Sequence, residues 1–508
     1  MRYGQRQKGE VSGVKVSFSK EVPQKSDVLV VGVTSDRQPA ASNAALQAAV
    51  IGVLEKLAGN TRFTGERGQL HELAAPKGTD ADRLCLIGLG GTDSLDHHGW
   101  ESLGGSLAAA YNGSGASFTV ALRHPNGASA GLAHLALGLR LRGYRHERLR
   151  TRPLDDDDGA IASVTIHDPD GDATALWNDD LLHVSAGVLW ARDLFAEPAN
   201  LLSPKTFVDE LEALTSMGVT IEALGPEGLE AHGMGAMLAV AQGSANEPRL
   251  AIMRWNGADD PDAVPLAFVG KGMTFDSGGI TLKSAKGMEE MKGDMAGAAA
   301  VTGAMRALAG RKAKVNAVGI LGLAENMLGS KAYRPGDVVK TMAGWTIEVV
   351  DTDAEGRMVL SDALWFTART YKPRLMVDLA TLTYAIMAGL GLVYTGLYST
   401  DDTLASDLLA ASGETGEKIW RMPLDDEYEA NLGSDIADLR QTAEEIETGD
   451  CAHAAQLLSR FADGLPWAHL DIAGKEMNYD DKPLCPRGPT GVGVRLLDAL
   501  ARRHETET

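Results

Sequence analysis

Short apolar runs, closed by glycine or by a charged residue, alternate along this chain with longer stretches of mixed polarity. Val28-Leu29-Val30-Val31-Gly32-Val33, Leu84-Cys85-Leu86-Ile87, Val264 to Phe268, Val315 to Leu321 and Leu375 to Leu379 are runs of the first kind. Their length and β-branched content predict buried strands. Ala41 to Leu57, Asp180 to Phe195, Ala296 to Ala309 and Ser361 to Tyr371 are of the second kind and predict helices, the second of them amphipathic. Strand and helix in alternation imply an α/β fold of two domains. The expected division is a smaller N-terminal α/β domain over 1–170, a linker and bridging helix over 171–195, and a larger C-terminal domain over 196–508 with a central mixed sheet flanked by helices.

Two places interrupt the apolar pattern with charge. After Val264 to Phe268 the chain reads Val269-Gly270-Lys271-Gly272-Met273-Thr274-Phe275-Asp276-Ser277-Gly278-Gly279, so a buried strand delivers Lys271 and Asp276 to a glycine-rich turn. Charges there are costly to desolvate unless paired or metal-bound. Further on, Asp351-Thr352-Asp353-Ala354-Glu355-Gly356-Arg357 sets three carboxylates between small residues and apolar flanks. Read as extended chain, period two points Asp351, Asp353 and Glu355 to one face, where like charges repel unless a cation sits among them. Hard oxygen donors suit magnesium, manganese or zinc, and Arg357 adds a fixed planar cation.

These segments resemble the motifs of the leucyl (cytosol) aminopeptidase family of bimetallic hydrolases, whose hallmark is Asn-Thr-Asp-Ala-Glu-Gly-Arg. The likeness continues through Asn200, Gly233-Met234-Gly235-Ala236, Glu325-Asn326-Met327, Arg334-Pro335-Gly336-Asp337, Ala380-Thr381-Leu382-Thr383 and Trp467 to Gly474, and so spans roughly 185–500. The resemblance implies a C-terminal catalytic domain and a metal-dependent aminopeptidase acting on small peptides through a water activated by two metals. By position, Lys271, Asp276, Asp294, Asp353 and Glu355 would be metal ligands, and Lys283 and Arg357 the catalytic pair. Lys283 would stabilise the oxyanion and Arg357 would hold a bicarbonate that shuttles the proton, so that no histidine is needed as base. His183, His232, His453 and His469 indeed lie outside both segments. Met291, Thr381, Tyr384, Ala473 and Glu476 would line the substrate pocket. Lys271 would have to be neutral to bind metal, its pKa lowered by burial and two dications. The metals would be manganese or zinc, with magnesium or cobalt acceptable to the same donors. The resemblance also implies a homohexamer. A dipeptidase such as a cysteinylglycine hydrolase, and a DNA-binding or scaffold member of the family, are the alternatives.

Three positions depart from the family pattern. Asp351 replaces the hallmark asparagine, Tyr384 stands where glycine is usual, and Glu476 where an apolar residue such as methionine is common. The last two fall on the wall of the pocket for the first side chain, which predicts a narrower, more acidic pocket favouring small or basic amino-terminal residues.

Composition narrows the classes further. A chain of 508 residues with 44% hydrophobic content supports two or more domains with sizeable cores. A formal net charge of -21 argues against nucleic-acid binding. Three scattered cysteines, Cys85, Cys451 and Cys485, make no disulfide framework, and no apolar core of signal-peptide length follows Met1, so a cytoplasmic protein is expected. Leu379 to Tyr398 is uncharged, but its glycines, threonines and flanking aspartates fit a buried strand and a glycine-rich loop better than a membrane span. Gly88-Leu89-Gly90-Gly91 reads as a strand-ending turn, and Gly104-Gly105-Ser106 lacks the last glycine of a nucleophile elbow. Asp155 to Asp158 and Asp168-Pro169-Asp170-Gly171-Asp172 read as a solvated acidic linker, and His97-His98 as surface histidines.

Overall fold

The structure, a computed structural model, describes residues 13–23, 25–57, 63–74, 81–91, 95–123, 130–152, 159–443 and 449–505. These divide into two compact units, one made of the described residues up to Ser185 together with Asn478–Gly488, the other running over Ala186–Met477 and from Pro489 onward.

The first unit holds strands β1 (Val16–Ser19), β2 (Val28–Thr34), β3 (Pro39–Ala40), β4 (Leu70–Ala74), β5 (Arg83–Gly90), β6 (Ser117–Val120) and β7 (Ser163–His167). They form one mixed sheet in the order β1-β7-β6-β2-β5-β4, with β3 beside β2. β2 is buried along its whole length and pairs in parallel with β5 and β6. Helices His97–Tyr111 and Gly131–Arg142 pack backbone to backbone: a Cβ on Gly104 would lie 2.0 Å from the Leu135 carbonyl oxygen. Asp96 caps the first of them by accepting the Gly99 amide at 2.8 Å.

The second unit contains an eight-stranded sheet. In chain order its strands are β8 (Thr220–Leu224), β9 (Arg249–Asn256), β10 (Leu266–Asp276) and β11 (Asn316–Asn326); after a small separate sheet built on β12 (Val338–Lys340) and β13 (Thr346–Glu348) come β14 (Leu375–Ala380), β15 (Thr395–Ser399) and β16 (Ile419–Arg421); β17 (Leu439–Arg440) joins the small sheet, and β18 (Trp467–Asp471) returns to the large one. The order across the large sheet is β16-β15-β18-β14-β10-β11-β9-β8. Its centre, β18-β14-β10-β11, is parallel, while β15 on one side and β9 on the other run antiparallel to their inner neighbours. Parallel strands covered on both faces read as continuous apolar runs, which is why β10, β11 and β14 were legible as strands. The carboxyl ends of the central strands open on one edge, the place where α/β sheets bind ligands.

Helices Ala296–Gly310 and Glu355–Tyr371 flank this centre. The Ala296 to Ala300 run lets the first come close: a Cβ on Gly297 would sit 2.0 Å from the Leu379 carbonyl oxygen of β14.

Several expectations need correction. Asp351 to Glu355 is not a strand; β13 ends at Glu348, residues 351–354 turn, and Glu355 opens a helix. Asp351 supports the turn, its Oδ1 accepting the Asp353 amide at 2.9 Å and its carbonyl the Ala354 amide at 3.1 Å. Asp168 is not solvated: it is buried and accepts hydrogen bonds from the Gly171 and Thr174 amides and the Thr174 hydroxyl. Asp155 to Asp158 lie outside the described residues. The expected Asp180 to Phe195 helix is part of a helical run over 172–196 with one π turn at Trp177–Leu181, and from 187 to 195 it is buried on all sides rather than amphipathic. Between β14 and β15 the glycine-rich loop includes a short helix, Tyr384–Leu390.

Candidate active site

Four chain segments bring charge to the open edge of the parallel centre. β10 carries Lys271 in its body and Asp276 at its end; the turn after it carries Lys283; the turn before helix Ala296–Gly310 carries Asp294; and the turn into helix Glu355–Tyr371 carries Asp353, Glu355 and Arg357. Lys271 is buried, with Nζ 2.8 Å from Asp294 Oδ1, 2.7 Å from Glu355 Oε1, and donating to the Thr381 carbonyl at 2.9 Å. Gly356 leaves room for that path, since a Cβ there would lie 2.7 Å from Lys271 Cε and push the side chain aside. Lys283 Nζ stands 2.9 Å from Asp276 Oδ2 and 2.5 Å from Asp353 Oδ1. Gly278, at φ 84°, takes a backbone conformation that side chains resist, and lets the chain fold Lys283 back over Asp276.

The carboxylates are held from behind as well as in front. Asp276 Oδ1 accepts the Gly278 amide at 2.9 Å and Asn326 Nδ2 at 2.8 Å, and the same Asn326 Nδ2 reaches the Thr352 carbonyl at 2.9 Å. Asp294 Oδ1 accepts the Thr381 hydroxyl at 2.6 Å. Asp471, at the end of β18, accepts from the Leu382 amide, the Thr383 hydroxyl and the Ala473 amide, fixing the loop that presents Thr381.

Four carboxyl groups, Asp276, Asp294, Asp353 and Glu355, face two lysine amines, two more acids than bases in a mostly buried site. Burial, reinforced by Asp276, pushes the Asp353 carboxyl up to about 7. Burial also raises Asp294 and Asp276 above the usual carboxylate range. For Glu355 burial works the other way from its neighbours, and Lys271 and Lys283 win, holding it below its ordinary value. Burial opposes the Lys271 ammonium too, yet Asp294, Glu355 and Asp276 hold it above a normal lysine. The neutral lysine expected of a metal ligand would therefore need dications beside it to offset these carboxylates.

The donor set fits divalent ions. One oxygen each of Asp276, Asp353 and Glu355 lie within 4.8 Å of one another. Asp294 Oδ2 and Glu355 Oε2 are buried without a hydrogen-bond partner among the described residues, which is costly unless a cation meets them.

A cavity of about 470 Å³ opens over this cluster, lined by Lys271, Asp276, Lys283, Met291, Asp294, Asp353, Arg357, Thr381, Tyr384, Ala473 and Glu476. Glu355 lies beneath it, against Lys271. Tyr384 is 63% exposed, and its ring centre stands 5.6 Å from Lys283 Nζ. Glu476 is half-buried with Oε2 unpartnered among the described residues, and burial pushes its carboxyl up to about 7. No described histidine lines the cavity. His469 is buried instead against Asp378, its Nδ1 2.6 Å from Oδ1, while Trp467 Nε1 donates to Oδ2 at 2.7 Å.

Two residues of the site escaped the sequence reading. Asp450, the first residue of helix Asp450–Ser459, lines the cavity and meets Arg357, whose Nη2 lies 3.0 Å from both carboxylate oxygens; Arg357 Nη1 donates to the Gln441 carbonyl at 3.2 Å. Asp450 follows Glu444, Glu445 and Glu447, and no motif in the sequence sets it apart from them. Asp471 lay within a quoted motif but carried no sign of the three bonds it accepts.

The chain matches the model of the "Cytosol aminopeptidase family, catalytic domain" over residues 189–498 and that of the family's N-terminal domain over 30–153. It is 47% identical over 450 residues to a "Probable cytosol aminopeptidase" of Methylorubrum populi, covering 88% of this chain and 90% of the relative. A protein of the same name from Rhodopseudomonas palustris is 44% identical over 496 residues, covering 97% and 98%. Among solved structures, a bottromycin maturation enzyme, BotP, in complex with Mn superposes with a TM-score of 0.82 at 32% identity, covering 95% of this chain and 100% of that one. A mutant of tomato leucine aminopeptidase gives 0.83 at 31%, covering 96% of each. A two-domain α/β architecture, a carboxylate–lysine cluster at the ends of parallel strands and matches along nearly the whole chain agree: this protein belongs to the cytosol aminopeptidase family of metal-dependent exopeptidases.

Proposed function

We propose that this aminopeptidase removes the amino-terminal residue from small peptides at the cavity over β10 and β14, with Lys271, Asp276, Asp294, Asp353 and Glu355 holding two divalent ions. The observation that carries the reading is the surplus of carboxyl groups over lysine amines, with buried oxygens of Asp294 and Glu355 left unpartnered. When bound, the ions would polarise the scissile carbonyl and acidify the attacking water. Oxygen and amine donors accept manganese or zinc, and manganese is the ion named with BotP.

Lys283 Nζ lies 2.9 Å from Asp276 Oδ2 and 2.5 Å from Asp353 Oδ1, at the edge of the proposed metal site. Its ammonium at the cavity wall supplies a fixed positive charge for the oxyanion that forms as the carbonyl is attacked. Arg357 lies on the same wall and fixes the group that moves the proton. Glu476 makes the first side-chain pocket acidic and Tyr384 narrows its mouth, so small and basic first residues are favoured over leucine. The family's naming and the three buried free cysteines suit a cytoplasmic enzyme. A homohexamer is the expected assembly, which sedimentation would test.

The test is hydrolysis of leucyl, alanyl, arginyl and lysyl amides by metal-stripped protein restored with manganese, zinc or magnesium, beside Glu355→Ala. Activity that requires metal and disappears in the variant is expected. Activity that survives chelation would refute the metal reading, and an unshifted preference for leucine would refute the role given to Tyr384 and Glu476.

A further inference from the structure

The resemblance places a bicarbonate on Arg357, but a carboxylate of this chain already stands on its Nη2. Arg357 is buried, its Nη2 is 3.0 Å from both oxygens of Asp450, and its Nη1 is bound to the Gln441 carbonyl at 3.2 Å. A bicarbonate from solution would have to displace a carboxylate tethered to the same chain, whose effective concentration is far higher. Carboxylate and bicarbonate share the feature the guanidinium recognises, a planar pair of oxygens carrying one negative charge.

We propose that Asp450 itself is the proton relay of this enzyme, its carboxylate doing on Arg357 what a bound bicarbonate would otherwise do. The inference rests on the aminopeptidase reading above. Three observations support it. Asp450 lines the same cavity as Lys283, Asp353 and Thr381. Its side chain is 16% exposed, reached from the cavity yet shielded from bulk solvent. It opens helix Asp450–Ser459 directly after Gly449, at φ 72°, so its backbone is set by a helix terminus and a sharp turn. Arg357 then acts as a positioning residue that aims the carboxylate.

The proton count closes without an external partner. As the water oxygen bonds to the scissile carbonyl carbon, one water proton passes to an Asp450 oxygen. When the carbon–nitrogen bond breaks, that proton passes to the leaving nitrogen, which departs as an amine, and Asp450 is again a carboxylate. The other water proton leaves with the new carboxyl group.

The experiment uses the full-length, manganese-loaded protein and leucyl and arginyl amides, in buffer stripped of carbon dioxide and in the same buffer with bicarbonate added. The wild-type rate is expected to be the same in both. Asp450→Ala is expected to lose about a hundredfold or more in kcat with KM largely kept, as for other general acid–base groups. Added bicarbonate or formate should restore part of that loss, since the space beside Arg357 is then open. Asp450→Asn should lose as much and not be restored, because its amide still fills the space; manganese binding equal to wild type would show it folded. A wild type that needs bicarbonate, or an Asp450→Asn enzyme as fast as wild type in stripped buffer, would overturn the proposal alone. Inactivity of the wild type with manganese in both buffers would overturn it together with the aminopeptidase reading.

Discussion

Replacing Asp471 separates hydrogen-bond geometry from charge in the scaffold behind the site. Its Oδ1 accepts the Leu382 amide at 3.1 Å and the Ala473 amide at 3.2 Å, and its Oδ2 accepts the Thr383 hydroxyl at 2.8 Å. Alanine leaves three buried donors without their acceptor, which at about 1 kcal/mol each amounts to about 3 kcal/mol of stability. Asparagine keeps the oxygen for both amides, and its Nδ2 can donate to the Thr383 hydroxyl, which rotates to accept, so the cost should be about 1 kcal/mol. With an m-value of about 3 kcal/mol/M, Asp471→Ala should unfold at about 1 M lower urea than wild type and Asp471→Asn at nearly the wild-type concentration. The loop released by alanine also carries Thr381, whose carbonyl holds Lys271 and whose hydroxyl holds Asp294. Metal affinity should therefore fall with stability in Asp471→Ala and survive in Asp471→Asn. Urea titration followed by tryptophan fluorescence, with calorimetric manganese binding on both variants, measures the two effects. Equal damage by both substitutions would show that charge rather than hydrogen-bond geometry is what Asp471 contributes, and no damage by alanine would refute the reasoning outright.

Other substitutions probe the remaining claims. Lys283→Ala should lower kcat by about a hundredfold to a thousandfold with little change in KM, the pattern of a lost oxyanion contact; steady-state kinetics on a leucyl amide would show whether KM moves instead. Burial raises the Glu476 carboxyl to about 7, so it is neutral below that pH and charged above it. The ratio of kcat/KM for arginyl over leucyl amides should thus climb as pH rises through about 7, and Glu476→Gln should flatten the climb. In the first unit, Gly104→Ala puts a Cβ 2.0 Å from the Leu135 carbonyl oxygen and should cost about 1–3 kcal/mol through overpacking, visible as a lower-temperature transition in calorimetry.

Much of the site was legible because its residues are clustered in the chain and their chemistry is costly to bury without a reason. Lys271 and Asp276 share one strand, and Asp353, Glu355 and Arg357 lie within one turn and the start of the helix that follows it. The apolar runs of β10, β11 and β14 announced strands because a parallel centre covered on both faces needs no polar alternation. What misled was local geometry. Period two suggested a strand through Asp351 to Glu355, but Asp351 accepts the Asp353 amide on its side chain and the Ala354 amide on its carbonyl, and the chain turns there before Glu355 opens a helix.

By itself, then, the sequence determined the alternation of strand and helix, the surplus of acids that calls for cations, and the motif that identifies the family, since each is carried by neighbours along the chain. Only tertiary structure decided which oxygens are left unpartnered, that Asp471 ties β18 to the Thr381 loop, and that Asp450 occupies the Arg357 fork. Asp450 is separated from Arg357 by 93 positions, and no local periodicity records a contact made by two helices starting at the same cavity. The physical reason is the same throughout: propensity and burial cost are written in adjacent residues, whereas the pairing of a buried charge is settled by whichever partner the packed chain brings within reach.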